Sequence, residues 1–270
     1  MIINHNLNAM NAHRNMSLNN IAQGKSSEKL SSGYRINRAA DDAAGLSISE
    51  KMRTQIRGLN QAAANAQDGV SLVQTAEGAM NEVSDMLTRM KELAVKASNG
   101  TYNTSDLKAM DEEFQALGNA IDDIANKTTF NGITMLNKNV PQSINIQIGN
   151  NSGDSVSVTS QNITKTGLGL SGGVSTSAAA KTSLGTIDKA IGLVNKARSE
   201  FGAVQNRLEH VYNNLSTTSE NLQAAESRIR DTDMAKEMMN YTKLNILQQA
   251  SNSMLAQANQ APQGVLQLLR

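Results

Sequence analysis

The chain has 270 residues, a formal net charge of +1, no Cys, no Trp, and aromatic side chains at only 3% of its positions. A nearly neutral charge argues against bulk electrostatic binding of nucleic acid or of an anionic membrane, and no apolar run reaches the roughly 18 residues of a spanning helix. Without Cys there are no disulfides or thiol nucleophiles, and few aromatics favour helices that meet along narrow seams.

The N-terminal segment has the apolar spacing of a helix from Ile3 to about Ser31, with Leu7 and Ile21 near one face. Asn and Ser are frequent there, and both residues compete with helical hydrogen bonding, so the segment is a poor helix by itself. We expect it to need a partner in order to become ordered.

A heptad pattern predicts a long helix from Asp42 to about Ser98, because apolar residues recur every seven positions in two companion rows. The rows are Val73, Met80, Leu87 and Ala94, and Ala76, Val83, Met90 and Ala97. Asn99-Gly100 follows as a C-terminal cap. At about 1.5 Å per residue this helix spans on the order of 80 Å.

The spacing of apolar residues changes in the middle of the chain. A shorter helix is predicted from Ser105 to about Lys127, followed by a turn signal at 130–132. A β-hairpin is then predicted at about 140–160, because apolar residues alternate with polar ones. The alternating residues are Ile144, Ile146, Ile148, Val156 and Val158. A Gly- and Ser-rich loop is predicted at about 167–177.

A second heptad seam runs from Ser183 to Leu222 and predicts another long helix. Its members are Ile187, Val194, Phe201, Leu208, Leu215 and Leu222. A last helix is predicted from about Met234 to Arg270, and Pro262 is expected to kink or end it.

The predicted fold class is therefore mainly α. A long antiparallel coiled-coil-like helical bundle forms from both chain ends, with a small β-hairpin in the middle. The outermost helices keep one apolar face that has no partner within the chain, which indicates that they become ordered on assembly.

Motifs at both chain ends resemble the terminal signatures of bacterial flagellins, in the same order. The N-terminal ones are Ile3-Asn4-His5-Asn6, Lys29-Leu30-Ser31-Ser32-Gly33-Tyr34-Arg35-Ile36-Asn37 and Ala40-Asp41-Asp42-Ala43-Ala44-Gly45-Leu46-Ser47-Ile48. The C-terminal ones are Ser227-Arg228-Ile229-Arg230-Asp231-Thr232-Asp233, Ile246-Leu247-Gln248-Gln249-Ala250 and Leu255-Ala256-Gln257-Ala258-Asn259-Gln260.

This resemblance implies a structural subunit of the flagellar filament, which self-assembles into a helical tube that acts as the motility propeller. Residues 1–40 with 230–270 would form the inner tube, and 41–229 the long-helix domain of a minimal flagellin without large outer domains. It further implies export of the unfolded chain without a cleaved signal, with an export chaperone on the C-terminal segment. The filament cap and hook-associated proteins would be the other partners, at an extracellular location.

The resemblance also implies a receptor surface. The stretch around Arg89 resembles the flagellin segment bound by Toll-like receptor 5, and the recognition residues map to Arg89, Leu93 and Glu113. The residues alone indicate a charged helix face, in which Asp85 and Arg89 are spaced for an i,i+4 ion pair. We expect the soluble monomer, and not the filament, to bind this receptor.

Contacts between subunits are predicted at apolar residues of the two terminal stripes. These residues are Leu7, Ile21, Leu247, Leu255, Val265 and Leu268.

Catalytic chemistry has weak candidates. Asp41 and Asp42 could act as acid and base, but an N-cap and an ion pair to Arg38 or Arg53 explain them better. His5 and His13 would point about 80° apart on a helix, which disfavours a shared metal. The Gly-x-Gly pattern at 167–169 lacks the surroundings of a phosphate loop. We expect no catalytic, cofactor or metal site.

Three alternatives remain for the whole chain. A hook–filament junction protein would share the terminal motifs. A secreted enzyme would need an inserted catalytic domain of about 100 residues or more, and the sequence has no such stretch. A free coiled-coil adhesin or effector would explain the heptads but not the Asn-rich apolar ends.

Overall fold

A computed structural model describes residues 6–137 and 143–268, with side chains as far as Ala261. Over that part, five helices and two antiparallel strand pairs follow one another, and the predicted mainly α class with a central hairpin is confirmed. The elements are α1 (Leu7–Ser32), α2 (Ala43–Ser98), α3 (Thr104–Lys127), β1 (Thr129–Phe130), β2 (Ile133–Thr134), β3 (Ser143–Gln147), β4 (Ser155–Thr159), α4 (Ser177–Arg230) and α5 (Met234–Leu268).

The chain divides into two compact units. One unit comprises residues 1–54 and 221–270, and the other comprises residues 55–220. Among the helices of the described residues, none has the length and apolar character needed to cross a membrane.

The core of the 55–220 unit is a seam between α2 and α4. Every residue of the two predicted α2 rows is buried, and so are the first five residues of the α4 row. Polar links fix the antiparallel order of the two helices: Asn60 with Ser219 at 2.7 Å, Glu77 with Arg198 at 3.9 Å, and Lys91 with Asp188 at 2.7 Å. Two heptad stripes can thus bury each other over most of their length.

The β3–β4 hairpin covers one stretch of this seam. Its register pairs Ile144 with Val158 and Ile146 with Val156, so alternate side chains of the hairpin enter the core. A Cβ atom on Gly69 of α2 would lie 2.5 Å from Cδ1 of Ile146. The hairpin can therefore approach α2 closely because that position has no side chain.

A second, smaller hairpin was not predicted. β1 and β2 pair through two residues each, and the turn signal at 130–132 supplies their connection. Asn131 has φ 49° and Gly132 has φ 78°, the two positive values that a two-residue hairpin turn of type I′ requires.

The predicted Gly- and Ser-rich loop is fastened along α3. Asp122 Oδ1 accepts the backbone N–H of Lys165 at 2.6 Å, and Asp111 Oδ1 accepts that of Val174 at 2.6 Å. Leu168 and Val174 are buried. The loop is therefore held in place by hydrogen bonds and by packing.

Helix ends differ from the predictions in α4 and in α5. α4 begins at Ser177 rather than Ser183, because the Thr176 hydroxyl caps it by accepting the Ala179 N–H at 3.1 Å. The backbone of α5 continues past Pro262 to Leu268. The expected helix start at Ile3 lies outside the described residues.

Two leucines of α4 test the seam against a matched surface position. Leu208 is 0% exposed and Leu193 is 50% exposed. We expect Leu208→Ala to lower the free energy of unfolding by about 2–5 kcal/mol, because it opens a cavity in the seam. Leu193→Ala should cost under about 1 kcal/mol. Urea unfolding followed by circular dichroism measures both, and equal losses would contradict the assigned core.

Candidate functional site

The helices α1 and α5 form an antiparallel pair at the chain ends. Side-chain hydrogen bonds join them at three levels: Asn6 Nδ2 to the Ala258 carbonyl at 2.8 Å, Asn19 Nδ2 to Ser251 Oγ at 3.2 Å, and Ser26 Oγ to Glu237 Oε1 at 2.5 Å. Polar contacts of this kind contribute only about 1 kcal/mol each. These hydrogen bonds therefore fix the direction and register of the pair and add only modestly to its strength.

A row of large apolar side chains lies on the outside of α1, and we call it the outer stripe. Its members are Leu7, Met10, Leu18 and Ile21, each between 59% and 64% exposed. Arg14 lies on the same face by helical spacing, and its guanidinium donates to Asn11 Oδ1 at 3.1 Å. Such a row is unusual on a free surface and is typical of an interface.

The facing helix α5 is also apolar on its outside, with Met239 67%, Ile246 61% and Met254 63% exposed. The sequence has no Asp, Glu, Lys or Arg from 244 to 269. The distal half of α5 thus offers apolar and amide groups without any charge.

The predicted subunit-packing residues occupy different positions on this pair. Leu7 and Ile21 belong to the outer stripe, Leu247 is 39% exposed, and Leu255 is half-buried. The side chains of Val265 and Leu268 lie outside the described residues. Sequence reasoning left Leu18 out of this set, although its spacing from Leu7 and Ile21 places it in the same stripe.

A groove of about 540 Å³ runs between the two helices, and we call it the inter-helix groove. It is lined by Asn8, Asn11, Ala12, Asn15, Leu247, Ala250, Ser251, Met254, Gln257, Ala258 and Ala261. The lining combines apolar side chains with the amide groups of several Asn and Gln residues.

The segments that lead into the two terminal helices are fastened together, and we call this fastening the connector clasp. Tyr34 and Asp231 form an isolated antiparallel bridge. Arg35 N–H donates to the Arg230 carbonyl at 2.7 Å, and Thr232 N–H donates to the Gly33 carbonyl at 2.9 Å. The clasp therefore joins the N-terminal and C-terminal sequence motifs directly.

Arg230 closes the clasp with its side chain. Its guanidinium lies 4.9 Å from the centre of the Tyr34 ring and donates to Glu50. This hydrogen bond, with the nearby charge of Arg53, lowers the pKa of Glu50 below its ordinary value of 4.5. The Arg230 Nε atom is buried and has no acceptor among the described residues.

A second candidate surface lies at the junction of α2 and α3, in the 55–220 unit. Arg89 Nε donates to Glu113 Oε1 at 2.9 Å, and Arg89 also pairs with Glu92 at 3.0 Å. The hydrogen bond with Glu113, and to a smaller extent that with Glu92, raises the pKa of Arg89. The predicted ion pair with Asp85 was wrong, because the guanidinium points to the neighbouring helix instead.

The three predicted receptor residues are not equivalent in the fold. Arg89 and Glu113 are brought together with side chains 51% and 45% exposed. Leu93 is 3% exposed and belongs to the core. Any ligand on this surface would meet the ion pair directly, and Leu93 would act by supporting the helix beneath it.

Asp41 and Asp42, near the start of α2, have structural roles. Asp41 Oδ2 accepts the N–H groups of Arg38 at 3.0 Å and Asn37 at 3.2 Å, which lowers the pKa of Asp41. Asp42 caps α2 by accepting the Gly45 N–H at 2.9 Å, as predicted. The predicted ion pair was wrong, since Arg38 pairs with Glu28 and Arg53 with Glu50.

Histidine and carboxylate side chains are dispersed within residues 6–137 and 143–268. There, no three or more His, Asp or Glu side chains are grouped so that they could hold a metal ion. His13 and His210 are exposed, and His5 lies outside the described residues.

Comparison with known proteins gives consistent matches over nearly the whole chain. Residues 3–141 match the bacterial flagellin N-terminal helical region, and residues 184–269 match the bacterial flagellin C-terminal helical region. The flagellin of Halalkalibacterium halodurans is 54% identical and that of Bacillus subtilis is 48% identical, each over 100% of both chains. The crystal structure of Bacillus cereus flagellin is 35% identical, with a TM-score of 0.52 over 60% of this chain and 94% of that one.

The connector clasp should respond to acid through Glu50. Because the pKa of Glu50 is lowered in the fold, the stabilisation that its carboxylate gives is present above pH 4.5. This stabilisation is lost as the pH falls through the lower pKa of the folded state. We expect Glu50→Gln to melt at a lower temperature than the native chain at neutral pH, and to lose less on acidification. Calorimetry at a series of pH values measures this, with Arg230→Gln as a second probe of the same pair. Parallel pH profiles for the native chain and Glu50→Gln would contradict the assignment.

Proposed function

The chain belongs to the bacterial flagellin family, and we propose that copies of it polymerise through α1 and α5 into the helical filament of the flagellum. The role is structural rather than catalytic. The observation that carries this proposal is the apolar surface that the terminal helix pair leaves exposed in the single chain.

The energetics favour association of these helices. Complete burial of one large apolar side chain contributes about 1.5–3 kcal/mol. The outer stripe has four such side chains. Burial of these side chains against another molecule is favourable where it exceeds the entropy cost of association. Binding of further copies then stabilises the ordered ends by mass action. This supports a terminal pair that is weak by itself and firm in the assembly.

We place the axial contacts between subunits at the predicted terminal residues. These are Leu7, Ile21, Leu247, Leu255, Val265 and Leu268. Residues 1–40 with 230–270 would then form the inner tube of the filament, and residues 41–229 the surrounding shell of long helices. The charge-free sequence of 244–269 supports this arrangement, because it can be packed among copies without leaving a charge unpaired.

Export would precede assembly. We propose that the chain is secreted unfolded through the flagellar channel to an extracellular site, with a chaperone on its C-terminal segment. A cap complex would fold it at the growing tip, and hook-associated proteins would adjoin the filament. A sequence without Cys supports threading, because no disulfide can form on the way.

A receptor role for the α2–α3 surface is a second proposal. Toll-like receptor 5 would bind the soluble monomer at Arg89 and Glu113, with Leu93 supporting the surface from below. The exposed ion pair supports this, because a guanidinium beside a carboxylate offers both donors and acceptors to a partner. In the filament the same surface would be covered by other subunits.

Removing residues 261–270 should abolish polymerisation, because the last turns of α5 and their apolar side chains are lost. Negative-stain microscopy after seeding with ammonium sulfate shows the outcome, and the full chain in the same buffer is the control. We expect a soluble monomer with weakly ordered ends. Filaments from the shortened chain would contradict the role given to this end.

Arg89→Asp should weaken binding of the soluble monomer to the ectodomain of Toll-like receptor 5, because it places a second carboxylate beside Glu113. We expect a loss of about tenfold or more, corresponding to about 1.4 kcal/mol. Arg207→Asp, an exposed arginine of α4, is the matched control. Equal affinities for the native chain and Arg89→Asp in surface plasmon resonance would reject the receptor surface.

A further inference from the structure

The sequence has two Asn-Gly pairs, Asn99-Gly100 after α2 and Asn131-Gly132 in the turn between β1 and β2. Asparagine is chemically labile, most of all before glycine, because glycine has no Cβ atom to shield its backbone nitrogen. We infer that Asn99 is a site of spontaneous deamidation in the folded chain and that Asn131 is protected from the same reaction. The reaction needs only a folded monomer, so it does not depend on the proposed filament.

Deamidation at Asn99 consumes one water molecule and no other reactant. The backbone nitrogen of Gly100 loses its proton and attacks Cγ of the Asn99 side chain. A C–N bond forms, the bond from Cγ to the amide nitrogen breaks, and solvent passes the proton from the backbone nitrogen to the leaving ammonia. Water then opens the cyclic imide at either of its carbonyls, which gives aspartate or isoaspartate at position 99.

Asn99 lies in the exposed connection between α2 and α3, where few contacts hold the backbone. α2 ends at Ser98 and α3 begins at Thr104, and both Asn99 and Gly100 are exposed. Among the described residues, no hydrogen bond engages the Asn99 side chain or the Gly100 N–H. A Cβ atom on Gly100 would have no heavy atom within 4 Å beyond its chain neighbours. The Cα–C bond of Asn99 can thus rotate until the Gly100 nitrogen faces Cγ.

The second pair is held in a conformation that prevents this attack. Asn131 and Gly132 occupy the type I′ turn, and the pairing of Phe130 with Ile133 fixes the turn on both sides. A type I′ turn keeps ψ of its first central residue near about +30°, whereas attack requires a large rotation about that bond. Asn131 must therefore leave the hairpin before it can cyclise. Each increment of about 1.4 kcal/mol in the free energy of that opening slows the reaction about tenfold.

Asn103 is an internal control in the same connection. It is exposed like Asn99, but its side-chain oxygen accepts the Asp106 N–H at 2.8 Å and caps α3. The residue that follows is Thr104, whose branched side chain shields the backbone nitrogen. The connection therefore contains one labile and one protected asparagine.

The product changes the charge at the end of α2. The formal net charge falls from +1 to zero, because one neutral amide becomes one carboxylate. The new carboxylate lies beside the C-terminal carbonyls of α2, where negative charge is unfavourable, and about one turn after Lys96. The Lys96 ammonium lies 5.6 Å from the centre of the Tyr102 ring, and a carboxylate at position 99 competes with that ring for it. The modified fraction increases with the age of the protein.

Peptide mapping of the aged protein tests the site. The folded chain is kept for weeks at neutral and at mildly alkaline pH in water enriched in oxygen-18, and is then digested with trypsin in ordinary water at mildly acidic pH. Asn99 and Asn103 fall in the peptide 97–108 and Asn131 in the peptide 128–138, so tandem mass spectrometry assigns each event. Oxygen-18 marks deamidation that preceded digestion. A parallel sample in urea removes the structure and keeps the sequence.

We expect aspartate and isoaspartate at position 99, formed in the folded chain about tenfold or more faster than at Asn131, and faster at the higher pH. In urea the two Asn-Gly pairs should react at similar rates, and Asn103 should react slowly in both samples. Gly100 has neither a positive φ nor a neighbour near its Cβ position, so Gly100→Ala keeps the fold while its methyl group shields the nitrogen. This variant should slow the reaction at Asn99 by about tenfold or more.

Equal rates at Asn99 and Asn131 in the folded chain would overturn the inference, because the structure would then not distinguish the two pairs. An unchanged rate in Gly100→Ala, or deamidation at Asn99 without isoaspartate, would also overturn it, since either result excludes attack by the Gly100 nitrogen. None of these results bears on filament formation, which microscopy tests separately.

Discussion

Two paired helices can bury only the strip of each that faces the other, and this limit governs the chain from end to end. In the 55–220 unit, α2 and α4 are covered further by α3 and the hairpins, so residues such as Met80 and Leu208 are completely buried. Among the described residues of its unit, the terminal pair α1 and α5 has no such cover. Its outer stripe remains in water, and burial of that stripe needs another molecule.

The connector clasp gives these exposed ends a defined register. Tyr34 and Asp231 are nearly two hundred residues apart in sequence, yet one antiparallel bridge joins their backbones. The Arg230 guanidinium lies over the ring of Tyr34 and also pairs with the carboxylate of Glu50. The pair α1 and α5, which side-chain hydrogen bonds join at three levels, is anchored at its base by the clasp. The shared terminal motifs therefore meet where the two ends must be aligned.

Most of the fold could be predicted from the sequence because its helices follow strict heptads. Met80 and Leu208 lie in rows whose period allows one face only, so their burial follows from spacing. Contacts that depend on tertiary structure could not be predicted from this spacing. Nothing in the spacing shows that Asp111 and Asp122 bind the backbone of a distant loop, since a carboxylate on a helix surface has many possible partners.

The candidate sites show the same division. Helical spacing identifies Leu7 and Ile21 as members of one stripe, but it cannot tell an inward stripe from an outward one before the partner helix is known. Spacing along α2 suggested Asp85 as the partner of Arg89, whereas the carboxylate of Glu113 on the next helix takes that place. Leu93 was assigned by resemblance, and its burial reflects the seam that the heptads build.

The central claim is that the terminal helices are ordered by contact with other copies, and amide hydrogen exchange measures this directly. The exchange of α1 and α5 amides should be compared in the isolated chain and in assembled filaments, with α2 as an internal reference. The account predicts fast exchange at both ends of the isolated chain and strong protection after assembly, while protection of α2 changes little. Ends that are as protected as α2 in an isolated chain that does not associate at high concentration would contradict it.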